Sequence, residues 1–126
     1  MIDASVIAKL IMRGENYVEA AKEVEADGET LDLAILEVAN VILKYHKREM
    51  LSTQEAQERF EELKELSETL IIIDFKKFLE QAFETAIATN LTIYDSLYIV
   101  SSNKLVTADV KQAEIAKQHR RNVILI

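Results

Sequence analysis

The sequence predicts an α/β protein in which a short central parallel sheet is covered by helices on both faces. The first reason is alternation. Short β-branched runs, such as Leu70-Ile71-Ile72-Ile73 and Lys104 to Thr107, are separated by stretches with helical apolar spacing. The second is where acidic residues fall. Asp3 and Asp109 each follow a strand-like run, and right-handed crossovers place such strand ends along one edge of the sheet. The third is punctuation. With no proline and two glycines, the short connections fall to Asn, Asp, Ser and Thr.

Met1 to Ala4 reads as the end of a short strand. Ser5 to Met12 follows as a short helix carrying Val6, Ile7, Leu10 and Ile11. A second helix is predicted from Glu15 to Ala26, ended by Asp27-Gly28, because glycine tolerates the left-handed conformation after a helix. Thr30 to Leu33 is a short strand or extended turn. Leu31 to Tyr45 is the strongest buried-helix candidate, with Leu33, Leu36, Asn40, Val41 and Lys44 at helical spacing. Ser52 and Glu55 form a capping-box signature, and the helix after them has Ala56, Phe60, Leu63 and Leu66 as its apolar stripe.

Leu70 to Ile73 has the continuous apolar character of a strand buried on both faces. Asp74 caps a helix over Phe75 to Thr89, and Asn90-Leu91 makes a turn. Thr92 caps the helix over Ile93 to Ser101, with Asp95 at its third position. Lys104 to Thr107 is a strand, Val110 to His119 a helix, and Asn122 to Ile126 a final strand.

The length of 126 residues fits one domain spanning 1–126, and the apolar content of 49% suffices for a core. The absence of cysteine removes disulfides, thiolate metal sites and cysteine nucleophiles, and agrees with a reducing cytoplasm. No apolar run is long enough to span a bilayer. Glycine-rich phosphate loops are excluded. A net charge of −7 argues against nucleic-acid binding through bulk positive charge, although divalent cations bound by the acids would offset part of it. Local basic groups remain at Lys44, Lys47 and Arg48, at Lys76 and Lys77, and at Lys117, Arg120 and Arg121.

Asp3, Glu37, Asp95 and Asp109 each sit in apolar surroundings. Singly, each has an ordinary explanation. Asp3 is a strand-end turn residue, Glu37 a partner for Lys44, Asp95 a capping-box member, and Asp109 a helix cap. Gathered together, they cannot all stay ionised without a counter-ion. An all-oxygen set of this kind suits Mg²⁺ or Mn²⁺. Such an ion polarises a phosphoryl oxygen and acidifies a bound water. Ser5 and Thr107 offer hydroxyls beside the acids, and Asn40 shares a helix face with Glu37. Tyr94 and Tyr98 flank Asp95 and offer base stacking, with core packing as the expected role of at least one. His46 and His119 lie in charged helix ends and are expected on the surface.

The words Asp3-Ala4-Ser5-Val6-Ile7, Glu37-Val38-Ala39-Asn40-Val41, Tyr94-Asp95-Ser96-Leu97-Tyr98 and Leu105-Val106-Thr107-Ala108-Asp109 occur in an order that resembles the PIN-domain family, and within it the VapC-type ribonuclease toxins. The resemblance implies an α/β/α sandwich and an Mg²⁺- or Mn²⁺-dependent endoribonuclease with Asp3, Glu37, Asp95 and Asp109 as its acidic quartet. It implies Thr107 as the hydroxyl residue accompanying the last acid. It also implies a homodimer, a cognate antitoxin and an RNA substrate. Two departures stand out: only Met1 and Ile2 precede Asp3, and the Asp95–Asp109 stretch is short. The competing reading is a catalytically weak PIN-like protein-binding module. A DNA flap nuclease fits less well, because the chain has little room for further acids and threading elements.

Overall fold

The computed structural model describes residues 1–126. Its elements are α1 (Ala4–Ile11), α2 (Tyr17–Asp27), β1 (Glu29–Leu31), α3 (Leu33–Lys47), α4 (Thr53–Thr69), β2 (Ile71–Ile73), a 3₁₀ turn (Phe75–Phe78), α5 (Leu79–Thr89), α6 (Ile93–Val100), β3 (Lys104–Thr107), α7 (Val110–Gln118) and β4 (Asn122–Leu125). β1 pairs with β2 and β3 with β4, both in parallel. Ile2 joins the two pairs through parallel bridges to Thr30 and Val106. The order across the sheet is therefore β2, β1, the Ile2 segment, β3, β4.

This order explains the layering. From the central segment the chain steps outward to β1 and β2, then returns to step the other way through β3 and β4. Right-handed crossovers in opposite directions cover opposite faces. α1 to α4 accordingly pack among themselves, as do α5 to α7, giving the α/β/α sandwich. The central segment and β3 send their connections to opposite faces. A crevice opens between them at their carboxyl ends.

The central strand is shorter than a strand. Helix α1 starts at Ala4, so only Ile2 bridges, although it is fully buried. It is held by Ile2 N–H to the Glu29 carbonyl (2.8 Å), Asp3 N–H to the Val106 carbonyl (3.1 Å) and Val106 N–H to the Met1 carbonyl (2.9 Å). The buried Thr30 hydroxyl adds a bond of 2.7 Å to the Ile2 carbonyl. The core around it takes Val6, Ile7, Leu31, Val38, Leu63, Tyr98, Leu105 and Val106.

Three local expectations need correction. β2 is not buried on both faces. It is an edge strand paired only with β1, and Ile71 is 63% exposed. Of the predicted α4 stripe only Leu63 is fully buried, while Phe60 lies exposed beside a groove between α3 and α4. The short connections are not all made by Asn, Asp, Ser and Thr: Arg13, Glu49 and Arg120 adopt positive φ alongside Asn16, Asn90 and Gly28. Ser52 and Glu55 do form a complete capping box. Asp74 caps as expected, although its first turn is 3₁₀. No helix is long and apolar enough to cross a membrane.

Candidate active site

Asp3 leaves the central segment and becomes the N-cap of α1. Its Oδ1 accepts from the Ser5 N–H (3.0 Å), the Val6 N–H (3.3 Å) and the Ser5 hydroxyl. Ser5 Oγ also accepts from the Ala108 N–H at 2.8 Å and lies 3.3 Å from Thr107 Oγ1. Thr107 Oγ1 accepts from the Asp109 N–H at 3.0 Å. Asp109 caps α7 by accepting from the Gln112 N–H at 3.0 Å. Ser5 and the fully buried Thr107 thus tie the acids at two neighbouring strand ends together from below.

The other two acids come from helices. Glu37 projects from α3, and its Oε1 accepts from the Tyr98 hydroxyl at 3.2 Å. It forms no ion pair with Lys44, nor a hydrogen bond with Asn40, which is exposed. Asp95 stands at the third position of α6, where the Thr92 hydroxyl accepts from its N–H at 3.2 Å. Unlike Glu55, it returns no bond to the backbone of its cap residue. Asp3, Glu37, Asp95 and Asp109 line one cleft of about 320 Å³, together with Ser5, Asn40, Lys44, Tyr98 and Gln112. That volume is enough for a small ligand group.

The cleft resists the ionised state of Asp3, Glu37 and Asp95. Burial lifts the Asp3 carboxyl to about 6, against the pull of its bonds from Ser5 and Val6 and of the neighbouring Thr107 hydroxyl. Burial likewise lifts Glu37 to about 7. The Tyr98 bond opposes this, and the charges of Asp95 and Asp3 add to it. Asp95 is raised by burial and by Asp109, with Thr92 and Lys111 acting the other way. Burial, then Glu37 and Asp3, push the Tyr98 phenol upward, so it stays a proton donor.

As placed, no group of three or more Asp, Glu or His side chains is arranged to hold a metal ion. The donor chemistry nevertheless fits a hard divalent cation. All donors are oxygen, and none of the four acids forms an ion pair. The hydrogen bonds to Asp3, Glu37 and Asp109 fall on one carboxylate oxygen each, Oδ1, Oε1 and Oδ1 respectively. The second oxygens take none of these bonds.

A family model for the PIN domain matches residues 1–124. This chain belongs to the PIN-domain family. It is 36% identical over 120 residues to a protein named Ribonuclease VapC3 from Pyrobaculum aerophilum, the match covering 90% of this PIN chain and 92% of that relative. All four acids singled out in the sequence thus meet in one cleft of the PIN fold, with Ser5 and Asn40 on its lining and Thr107 beneath.

Two lining residues carry signals that sequence reasoning underused. Tyr98 lies three residues after Asp95 and so shares its helix face. It is buried, whereas Tyr94 is 57% exposed. Gln112 lies three residues after Asp109; it is buried and its Nε2 has no hydrogen-bond partner.

Proposed function

We propose that this PIN-domain chain is a metal-dependent endoribonuclease of the VapC toxin type, acting on RNA phosphodiester bonds. The observation that carries this reading is the convergence of four acids, from three helix starts and one helix face, on one cleft. The ribonuclease name of the Pyrobaculum relative supports it.

Asp3, Asp95 and Asp109 would hold Mg²⁺ or Mn²⁺, with Glu37 as a further ligand or as the group positioning the attacking water. When bound, such an ion supplies positive charge to a phosphoryl oxygen and acidifies water. The chain's own groups do the rest. Ser5 and Thr107 fix Asp3 and the start of α7. Lys44, the one cationic side chain lining the cleft, forms no ion pair and is suited to a substrate phosphate. Asn40 offers an uncharged donor beside it.

The same reading includes a cognate antitoxin protein as inhibitor, a homodimer as the working form and the cytoplasm as its place of action. A protein-binding module with weak catalysis is the second reading. It is favoured by one observation, the absence of a closed metal-holding group among the side chains as placed.

Cleavage of a structured RNA panel with Mg²⁺, Mn²⁺ or EDTA separates the two. The nuclease cuts only with metal, and Asp95→Asn loses more than about a hundredfold, since even a ligand's partner costs roughly ten- to a hundredfold. A folded, antitoxin-free protein inert in every metal would leave the binding module.

A further inference from the structure

We propose that Tyr98 is a positioning residue for the candidate nuclease site: its buried hydroxyl fixes the Glu37 carboxylate in the cleft. This rests on the metal-dependent reading above.

Glu37 has every reason to leave. It is a long side chain on α3, half-buried, with no cationic partner. It shares its cleft with three other acids. Repulsion and hydration both favour a rotamer turned out to solvent. Against this stands one hydrogen bond, from Tyr98 Oη to Glu37 Oε1 at 3.2 Å.

That bond is also the one hydrogen bond between α3 and α6. A trough lined by Leu36, Glu37, Asn40, Leu43, Tyr94 and Asp95 separates these helices beside the cleft. No ion pair crosses it. The register of Glu37 against Asp95 is therefore set across an open gap.

Tyr98 is suited to hold that register. Its ring is 2% exposed and packs in the core, so its hydroxyl has little freedom to follow a moving partner. A buried phenol requires an acceptor, and Glu37 supplies it. Tyr98 also stands three residues after Asp95 on α6. One rigid helix thus carries Asp95 and the group that holds Glu37. The bond occupies Oε1 and leaves Oε2 for a cation or a water, as partners outside a metal's ligands orient the ligands themselves.

The test is Mn²⁺ binding by the full chain, measured by calorimetry and by the electron paramagnetic resonance signal of free Mn²⁺. Wild type is compared with Tyr98→Phe, Glu37→Asp, their double variant and Asp95→Asn. Phenylalanine keeps the ring packing and removes the bond. Aspartate keeps the charge and withdraws it from the hydroxyl. Tyr98→Phe and Glu37→Asp should each weaken Mn²⁺ roughly tenfold or more. The double variant should be no weaker than Glu37→Asp alone, because both changes remove one interaction. Circular dichroism and thermal melting of the metal-free variants should match wild type.

If Tyr98→Phe binds Mn²⁺ like wild type while Asp95→Asn does not bind, the positioning role is wrong and the metal site stands. If the two substitutions weaken binding independently, Tyr98 acts elsewhere and the proposal is again wrong. If wild type itself binds no Mn²⁺, the metal-dependent reading fails and takes this inference with it. If Tyr98→Phe does not fold, Glu37→Asp decides: binding as tight as wild type overturns the proposal.

Discussion

Asp3 shows how one carboxylate serves two masters. As the N-cap of α1 it is held by two backbone N–H groups and a hydroxyl, all of which favour its charge. As a residue 2% exposed beside other acids it is pushed the other way, and burial wins. The sign of the resulting pH dependence follows. Asp3 and Glu37 hold protons up to about 6 and about 7, above the ordinary 3.8 and 4.5 of the unfolded chain. Between those limits the folded state binds more protons than the unfolded state. The metal-free protein should therefore be most stable near pH 4 and lose stability as pH rises through about 7. Melting temperatures between pH 4.5 and 8 check this, and Glu37→Gln should flatten the upper part of the curve. Mn²⁺ or Mg²⁺ should restore stability most at the high end, where the acids are ionised. A melting temperature that rose with pH in EDTA would show that the acids are compensated by something other than protons or metal.

At the scale of elements, the helix ends carry much of the specification. The Ser52–Glu55 capping box satisfies two orphan N–H groups at the start of α4, a helix whose remaining faces are mostly polar. Ser52→Ala should cost about 1 kcal/mol in urea unfolding. Gly28 ends α2 at φ +67°, and an added Cβ would meet nothing within 4 Å. The penalty of Gly28→Ala is thus purely one of backbone conformation, about 1–2 kcal/mol. Gly28→Asn should recover part of it, because asparagine tolerates this region. Equal stability of the alanine and glycine forms would mean that the turn can relax out of the left-handed region.

For the whole molecule, the exposed apolar surface is the informative quantity. α5 shows Leu79, Phe83 and Ile87 at 41%, 61% and 72% exposure, spaced four residues apart on one side of the helix. An unpaired stripe of this kind is costly in water and suits the pair interface of the proposed homodimer. Light scattering should then find Phe83→Glu shifted toward monomer with its helical content intact. An unchanged dimer would place the interface elsewhere, and a monomeric wild type would remove the dimer.

Much of this protein was legible in the sequence because local chemistry determines it. Ser52 and Glu55 cap whatever helix follows them, Gly28 takes a left-handed turn that other residues resist, and β3 runs from Lys104 to Thr107 as its β-branched pattern predicts. The four acids stood out because carboxylates in apolar words are rare without cause. Other features depended on contacts between distant segments. No local signal makes β2 an edge strand, since Ile71 and Ile72 look as buried as any core residue until the sheet order is known. The central strand shrank to Ile2 because Asp3 found its donors in the first turn of a helix. Above all, the tie between Glu37 and Tyr98 spans 61 residues of chain. Sequence determined which side chains were able to hold a charge or give a proton. Only the tertiary structure decided which of them meet, because that follows from the crossing of the chain at the centre of the sheet.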